Sequence, residues 1–436
     1  MKTTRHDSFA AYVLPSVLAF ALSGLYTIVD GFFIDQSLGD LGLAAITLAY
    51  PAAALLQAVG TGIGLAGAIR CTILQARGEE QTPRTCFSGT VLLLLATSAA
   101  FAAVLLGLLG PVLTVLGAQD EARPLAAEYI RVIACGTAFQ ILATGLVPFI
   151  RNLGGSAFAM VAMGTGFVTN IALDYLFVWE FHWGMAGGAW ATVIGQAATM
   201  LLAIGYLVRR RVGFVPPKAG EVLPLWGALL KVAAAPIGLT FSPNITLMVM
   251  NHFLLHYGGA LAIAVYGCID YVLSTIYMLL QGVGDGSQPL ISRAYGVGDF
   301  GELRRTVTRA YRAAFGITAV CIAALFLARG VIGALFGASA EANAGVGARL
   351  PLFLATLPLL AYVRVTTAYF YATEKTALSY VLVFSEPVLT FVVLLILPQL
   401  LRLTGVWLAI PMAQVLTFCI AVPARRRTQR ARELPA

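Results

Sequence analysis

Few ionisable side chains lie inside the apolar segments of this 436-residue sequence. Among them are the carboxylates of Asp30 and Asp174. Asn170 and Asp174 are four residues apart, so a helix would place both on one face. Thr192 and Gln196, also four apart, open the next apolar segment, and Asp30 lies near the end of the first. Carboxylate, amide and hydroxyl oxygens are hard ligands that suit sodium. We therefore expect these residues to form one cation site, with sodium at Asp30, Asn170, Asp174 and Thr192.

The same group of residues could instead carry a proton. Two carboxylates that are close together and poorly hydrated resist being ionised at the same time, so Asp30 and Asp174 would share protons. A plainer interpretation is that the two aspartates only cap helix ends at the outer membrane interface. The sequence does not decide between Na+ and H+, and we expect no other cofactor.

A second set of carboxylates lies in the later part of the sequence, with Asp270 and Glu386 each near the middle of an apolar segment. A charge at the bilayer centre costs about 2.5–3.5 kcal/mol on insertion scales, so such residues usually have a specific role. Our hypothesis is that one or both line a cleft and attract a cationic substrate. Alternatively, each is hydrogen-bonded between helices, with Arg364 as an ion-pair partner. Asp285, near the inner end of its segment, is expected to meet water.

The composition shows which elements must position these side chains. Hydrophobic residues make up 59% of the chain and charged residues 11%, whereas soluble domains have about 25% charged residues. This excludes a secreted enzyme, a nucleic-acid binder and a disordered scaffold. The net charge of +8 comes largely from Arg and Lys at segment ends, such as the triplets 209–211 and 425–427. We interpret these as topology signals and contacts with anionic membrane lipid.

Breaks in the apolar pattern predict an all-α integral membrane protein with twelve spans of about 20 residues or more. Lys and Arg concentrate in alternate connections, which places both termini in the cytoplasm by the positive-inside rule. The predicted spans are 8–34, 43–69, 86–108, 124–149, 156–179, 187–208, 232–256, 260–285, 310–328, 346–370, 377–398 and 405–423.

The chain also looks like a duplication. Gly78 and Gly298 are separated by the same number of residues as Gly117 and Gly337, and prolines 15 and 236 by nearly that number. We therefore predict two six-helix lobes related by a pseudo-two-fold axis along the membrane normal, as in transporters that work by alternating access. The predicted parts are an N-terminal lobe at 1–208, a cytoplasmic linker at 209–231, a C-terminal lobe at 232–423 and a basic cytoplasmic tail at 424–436.

Several motifs have a simpler explanation than their usual chemistry. The GxGxxG pattern at Gly62–Gly67 lies in an apolar helix with no preceding strand, so it does not indicate a dinucleotide site. The P-loop pattern GxxxxGK[ST] does not occur in the sequence, and the six cysteines are scattered without a CxxC motif. His252 and His256 lack the surrounding residues of a zinc site. We predict no catalytic residues and no enzyme activity.

Five segments resemble the multidrug and toxic compound extrusion (MATE) family, in its bacterial multidrug-efflux-like branch. They are Val29–Ile34, Ala49–Pro51, Asn170–Phe177, Trp183–Thr192 and Gly282–Gly296. The resemblance implies a twelve-helix secondary antiporter in the prokaryotic inner membrane that exports amphipathic, often cationic compounds in exchange for Na+ or H+. It also assigns a coupling-cation role to Asp30, Asn170, Asp174 and Thr192. We expect a monomer with a small organic substrate and no nucleic-acid partner.

Two other functions fit the sequence less well. A lipid-linked or glycan flippase of related fold would need a broad basic cleft for phosphates, but arginines well inside the predicted spans, away from their ends, are limited to Arg131 and Arg364. A membrane-embedded transferase would need an interfacial loop rich in His, Asp or Lys, and the predicted outer loops are short. Both alternatives are therefore disfavoured.

Overall fold

The computed structural model describes residues 8–79, 81–117 and 121–433, excluding the side chains of 25, 27–32, 34–40, 43–44 and 430–433. Its regular structure within these ranges is helical, with no strand. The helices are α1 (Phe9–Ala76), α2 (Thr82–Gly107), α3 (Leu109–Val115), α4 (Ala122–Cys135), α5 (Thr137–Asn152), α6 (Ser156–Asp174), a π-helical segment (Tyr175–Glu180), α7 (Gly184–Arg209), α8 (Ala219–Val297), α9 (Phe300–Ala328), α10 (Ile332–Leu335), α11 (Ala340–Leu354), α12 (Leu357–Ala372), α13 (Thr376–Leu401) and α14 (Leu403–Glu433). The all-α membrane fold is confirmed.

The twelve predicted spans can be found in these helices. Eight described helices are long and apolar enough to cross a membrane, and two bent pairs, α4–α5 and α11–α12, raise the number to ten. The 79 residues of α8 correspond to about 118 Å of helix, far more than a hydrocarbon core of about 30 Å. This helix is interrupted at Gly259, where φ is 68° and ψ is −165°, so it supplies two spans. The apolar start of α1, Phe9–Gly24, completes the twelve.

The described residues form two compact units. The first comprises Met1–Ile237 with Ser292–Phe300, and the second comprises Gly238–Ile291 with Gly301–Ala436. Because α8 begins at Ala219, much of the segment interpreted as a linker is helical. The lobe limits taken from the sequence stay a prediction.

Equivalent elements recur in the two halves of the sequence. α5 and α12 each contain 16 residues, and each follows a bend, of 59° after α4 and of 50° after α11. The glycines paired from the sequence share left-handed backbone, with φ of 85° and 81° at Gly78 and Gly298 and of 79° and 71° at Gly117 and Gly337. A Cβ added at these four positions meets nothing within 4 Å. Glycine is therefore required there by the backbone conformation and not by space.

A threonine lies at each bent span. Thr137 Oγ1 donates to the carbonyl oxygen of Ala134 at 2.8 Å. Thr356 Oγ1 is 3.0 Å from the carbonyl oxygen of Phe353 and donates to Gln414 Oε1 at 2.6 Å. A break in a helix frees backbone carbonyls, and within a bilayer these must find partners inside the protein. The Thr137 hydroxyl supplies such a partner, whereas the Thr356 hydroxyl gives its one hydrogen to Gln414.

In the first unit, α6 and α7 approach each other closely at Gly166 and Gly195. A Cβ added to Gly195 would lie 2.7 Å from the carbonyl oxygen of Gly166 and 3.0 Å from Asn170 Cβ. Only a residue without a side chain allows this approach. The contact brings the polar residues of α6 against those of α7.

Candidate cation and substrate sites

Three of the five residues predicted to bind a cation come together between α6 and α7. Asn170 and Asp174 lie one turn apart on α6, and Thr192 lies on α7. Their exposed fractions are 2%, 1% and 8%. Polar groups buried this deeply require hydrogen-bond partners, and these three residues supply them to one another.

The Asn170 side chain connects the cluster. Its amide oxygen accepts a hydrogen bond from the backbone N–H of Thr192 at 3.0 Å, and its nitrogen donates to Asp174 Oδ2 at 3.1 Å. This amide orientation is the one that pairs donors with acceptors. The Thr192 hydroxyl oxygen lies 3.4 Å from the same amide. A carboxylate, an amide and a hydroxyl therefore meet at one buried point.

Asp174 does not act as a helix cap. It has helical backbone angles, with φ of −60° and ψ of −47°, and it makes no side-chain capping hydrogen bond. The chain continues directly into the π-helical segment up to Glu180. Such segments are rare in proteins and often occur at functional sites.

The other two predicted members are less well placed. Gln196 lies one turn beyond Thr192 on α7 and is half-buried. The side chain of Asp30 lies outside the described residues. Among the side chains that the structure does describe, no group of three or more His, Cys, Asp or Glu is arranged to hold a metal ion. The assembly of all five residues around one cation stays a prediction.

The two later carboxylates line a single pocket in the second unit. Both Asp270 and Glu386 are half-buried, and four helices contribute to the lining. The lining residues are Ser242, Pro243, Thr246, Tyr266, Asp270, Leu273 and Tyr277 of α8, Arg364 of α12, Glu386 and Pro387 of α13, and Ile410 of α14.

A hydrogen-bond network holds the polar groups of this pocket. Gln414 Nε2 donates to Glu386 Oε1 and to Tyr277 Oη, each at 3.1 Å. Tyr266 Oη donates to Asp270 Oδ1 at 3.4 Å. Gln414 is buried on α14 and lies behind the lining residues, so it positions Glu386 from outside the pocket.

Arg364 does not form the ion pair that we considered for it. Its side chain is 6% exposed, and its guanidinium lies 5.2 Å from the centre of the Tyr277 ring. Nη1 donates to the carbonyl oxygen of Leu239 at 3.5 Å. Among the described residues, the structure shows no ion pair of Arg364 with Asp270 or Glu386.

The expectation that Asp285 meets water was wrong. Its side chain is 1% exposed, and Oδ1 accepts hydrogen bonds from Gln281 Nε2 at 3.1 Å and from Tyr371 Oη at 3.0 Å. Because α8 continues to Val297, Asp285 lies well inside the helix and not at its end.

Sequence analysis missed the tyrosines and the glutamine of the second pocket. Tyr266, Asp270, Leu273 and Tyr277 follow one another at intervals of four, three and four residues on α8. This spacing places them on one helix face, so a search for polar and aromatic residues in register with Asp270 would have found both tyrosines. Gln414 has no such neighbour in the sequence.

Comparison with known proteins identifies the family. The MatE family model matches residues 15–176 and again residues 236–396, once in each half. The chain belongs to the MatE family. The two matches begin at Pro15 and Pro236, the prolines paired from the sequence, and the MATE resemblance is thereby confirmed.

Curated relatives of this MatE chain are named as export proteins. It is 24% identical over 317 residues to the multidrug export protein MepA of Staphylococcus aureus (strain NCTC 8325 / PS 47), covering 72% of this chain and 70% of the relative. The MepA of Staphylococcus haemolyticus (strain JCSC1435) is 24% identical over 413 residues, covering 94% and 91%. With its apolar helices, this MatE chain is a multi-pass membrane protein of a transporter family.

Solved structures share the whole fold. A MOP superfamily transporter from Pyrococcus furiosus, described as having a binding pocket of reverse polarity, is 20% identical with a TM-score of 0.91. The MATE multidrug transporter DinF-BH, solved as a complex, is 25% identical with a TM-score of 0.89. Both comparisons cover 100% of each chain. The two-lobe architecture of twelve helices is thus confirmed.

Proposed function

We propose that this MatE chain is a secondary antiporter that exports small, amphipathic organic cations in exchange for Na+ or H+. It works as a monomer in the prokaryotic cytoplasmic membrane, with both termini in the cytoplasm. The names of the multidrug export relatives support the transport of small molecules. The observation that carries the coupling proposal is the buried, hydrogen-bonded cluster of Asn170, Asp174 and Thr192.

In this proposal the coupling cation binds at Asp174. Asn170 and Thr192 hold the carboxylate in place, and Asp30 and Gln196 complete the site. Binding of Na+ or H+ neutralises a carboxylate that is otherwise costly to bury. A cation can bias an alternating-access transporter only by binding the inward-facing and outward-facing states with different affinity. The cluster between two closely packed helices is a place where a small relative movement of the helices changes that affinity.

The substrate is attracted by the pocket of the second unit. Asp270 and Glu386 supply negative charge at half-buried positions. Tyr266 and Tyr277 supply rings that attract organic cations through their π faces. This division gives the two lobes different tasks.

The test is dye transport in proteoliposomes with a sodium gradient and a proton gradient imposed separately. We expect one gradient to drive ethidium export by the wild type, and Asp174→Asn and Asp30→Asn to abolish that dependence. Glu180→Gln is the matched control, because Glu180 is an exposed carboxylate at the end of the same segment, paired with Tyr175, and it should transport normally. Unchanged gradient-driven export in both aspartate variants would refute the coupling site.

A further inference from the structure

We infer that Arg364 restricts the pocket of the second unit to organic cations with a single positive charge. This inference rests on the proposed function, since it concerns the substrate of the same transporter. It makes Arg364 a specificity-determining residue, although Arg364 itself repels cations.

The first argument is the charge balance of the pocket. Asp270 and Glu386 contribute two negative charges when both are ionised, and the guanidinium of Arg364 contributes one positive charge that arginine keeps in proteins. The three side chains line one pocket, so the net charge of the pocket is then −1. A monocation neutralises this pocket, whereas a dication leaves an uncompensated charge in a poorly hydrated site, which is unfavourable.

The second argument is the arrangement of the charges. The two carboxylates are half-buried, whereas Arg364, which lines the same pocket, is buried. Arg364 is held by the Tyr277 ring and the Leu239 carbonyl, and Glu386 is held separately by Gln414. A substrate therefore meets the acidic groups, and the guanidinium limits how much positive charge they can accept.

The third argument concerns the Tyr277 ring. Its interaction with the Arg364 guanidinium uses ring surface that a bound organic cation could otherwise contact. Replacing Arg364 with an uncharged residue thus adds one unit of negative charge to the balance and also frees this ring surface. Both changes favour a second positive charge on the substrate.

The test is fluorescence titration of the purified, detergent-solubilised protein with ethidium and with propidium, which has the same ring system and one further positive charge. We expect the wild type to bind ethidium more tightly than propidium. Arg364→Gln should shift the affinity ratio about tenfold toward propidium, as expected for one charge at several ångströms, whereas Arg364→Lys should keep the wild-type ratio. The matched control is Arg349→Gln, because Arg349 stacks on Trp407 at 4.9 Å without lining the pocket, and it should not change the ratio.

A second pair of variants distinguishes the loss of the Arg364 charge from misfolding of Arg364→Gln. Asp270→Asn should weaken ethidium binding, and the double variant Asp270→Asn/Arg364→Gln should recover it, because the balance returns to one negative charge. An unchanged ratio in Arg364→Gln, or no recovery in the double variant, would overturn the inference. Dye binding is measured without any gradient, so a failure of ion coupling would leave these outcomes unaffected.

Discussion

The polar cluster of the first unit and the polar pocket of the second use equivalent pairs of helices for different chemistry. Between α6 and α7, a carboxylate meets an amide and a hydroxyl that are all buried. Glu386 of α13 and Gln414 of α14 also pair a carboxylate with an amide, but two tyrosines and an arginine join them. In the function proposed above, the first of these sites takes the coupling ion and the second attracts the organic cation.

The two sites also differ in how their helices pack. Gly166 and Gly195 allow α6 and α7 to come close beside Asn170, which leaves little room around the cluster. In the second unit, Pro387 follows Glu386 directly, and α8 presents Tyr266 and Tyr277 to the same pocket. A proline inside a helix removes a backbone hydrogen bond and favours a bend.

The proposed difference in role between the two sites is tested most directly by neutralising one carboxylate in each. Asp174→Asn should reduce gradient-driven export about 100-fold or more, since it removes a charged ligand worth roughly 3 kcal/mol, while leaving dye binding intact. Glu386→Gln should instead weaken dye binding and keep the dependence on the gradient. Both are measured by transport in proteoliposomes and by dye titration. The same phenotype in both variants would show that the two sites do not have separate tasks.

The next effect concerns the close approach of α6 and α7. Gly195→Val should lower the free energy of unfolding by about 3 kcal/mol, because its side chain would overlap with Gly166 and Asn170. Gly205→Ala on the same helix has open space around its Cβ and should raise stability by up to about 1 kcal/mol. Thermal unfolding in detergent measures both. Equal effects would mean that the contact does not set the helix distance.

A somewhat smaller loss is expected in the second unit. Gln414→Leu should destabilise the protein by about 2 kcal/mol, because it removes the amide donor of Tyr277 and Glu386 and the side-chain acceptor of Thr356. Gln399→Leu is the control, since Gln399 is exposed and bonds only to its own helix at Leu395. Unfolding midpoints in detergent should separate the two variants. An unfolding midpoint for Gln414→Leu equal to that of the control would show that the hydrogen bonds of Gln414 do not stabilise the protein.

The smallest effect should come from Thr192. Thr192→Val removes one hydroxyl ligand and should lower the apparent affinity for the coupling cation about fivefold, corresponding to roughly 1 kcal/mol. Thr199→Val removes another buried hydroxyl of the same helix, one that bonds to backbone carbonyls at Gly195 and Ala162, and should not change that affinity. The measurement is export rate against cation concentration. Similar shifts in both variants would remove Thr192 from the site.

The repeat and the helical class could be predicted from the sequence because they depend on short-range signals. Gly78 and Gly298 mark turns whose backbone requires glycine, and this requirement is visible in the residue type. Likewise, Asn170 and Asp174 share a face through helical spacing alone. The contact between Thr192 and Asn170 could be predicted from the assumption that consecutive spans are neighbours.

Other features could not be predicted because they depend on how distant segments pack. Asp285 looks terminal in a hydropathy plot, yet its neighbour Tyr371 comes from another helix. Arg425, in the predicted cytoplasmic tail, is buried, with its guanidinium 3.9 Å from the centre of the Tyr369 ring. Arg364 seemed suited to an ion pair, and a ring and a carbonyl hold it instead. None of these partners is close in the sequence.

The hydroxyl of Thr356 links two features of the second unit that are otherwise separate. It lies at the break of a bent span and donates to Gln414, the same side chain that holds Glu386. In the first unit, Thr137 bonds only within its own bent span among the contacts described. The bend of the α11–α12 span is therefore connected to Glu386 by two hydrogen bonds in series, so a displacement of the Glu386 side chain would be transmitted to the bend.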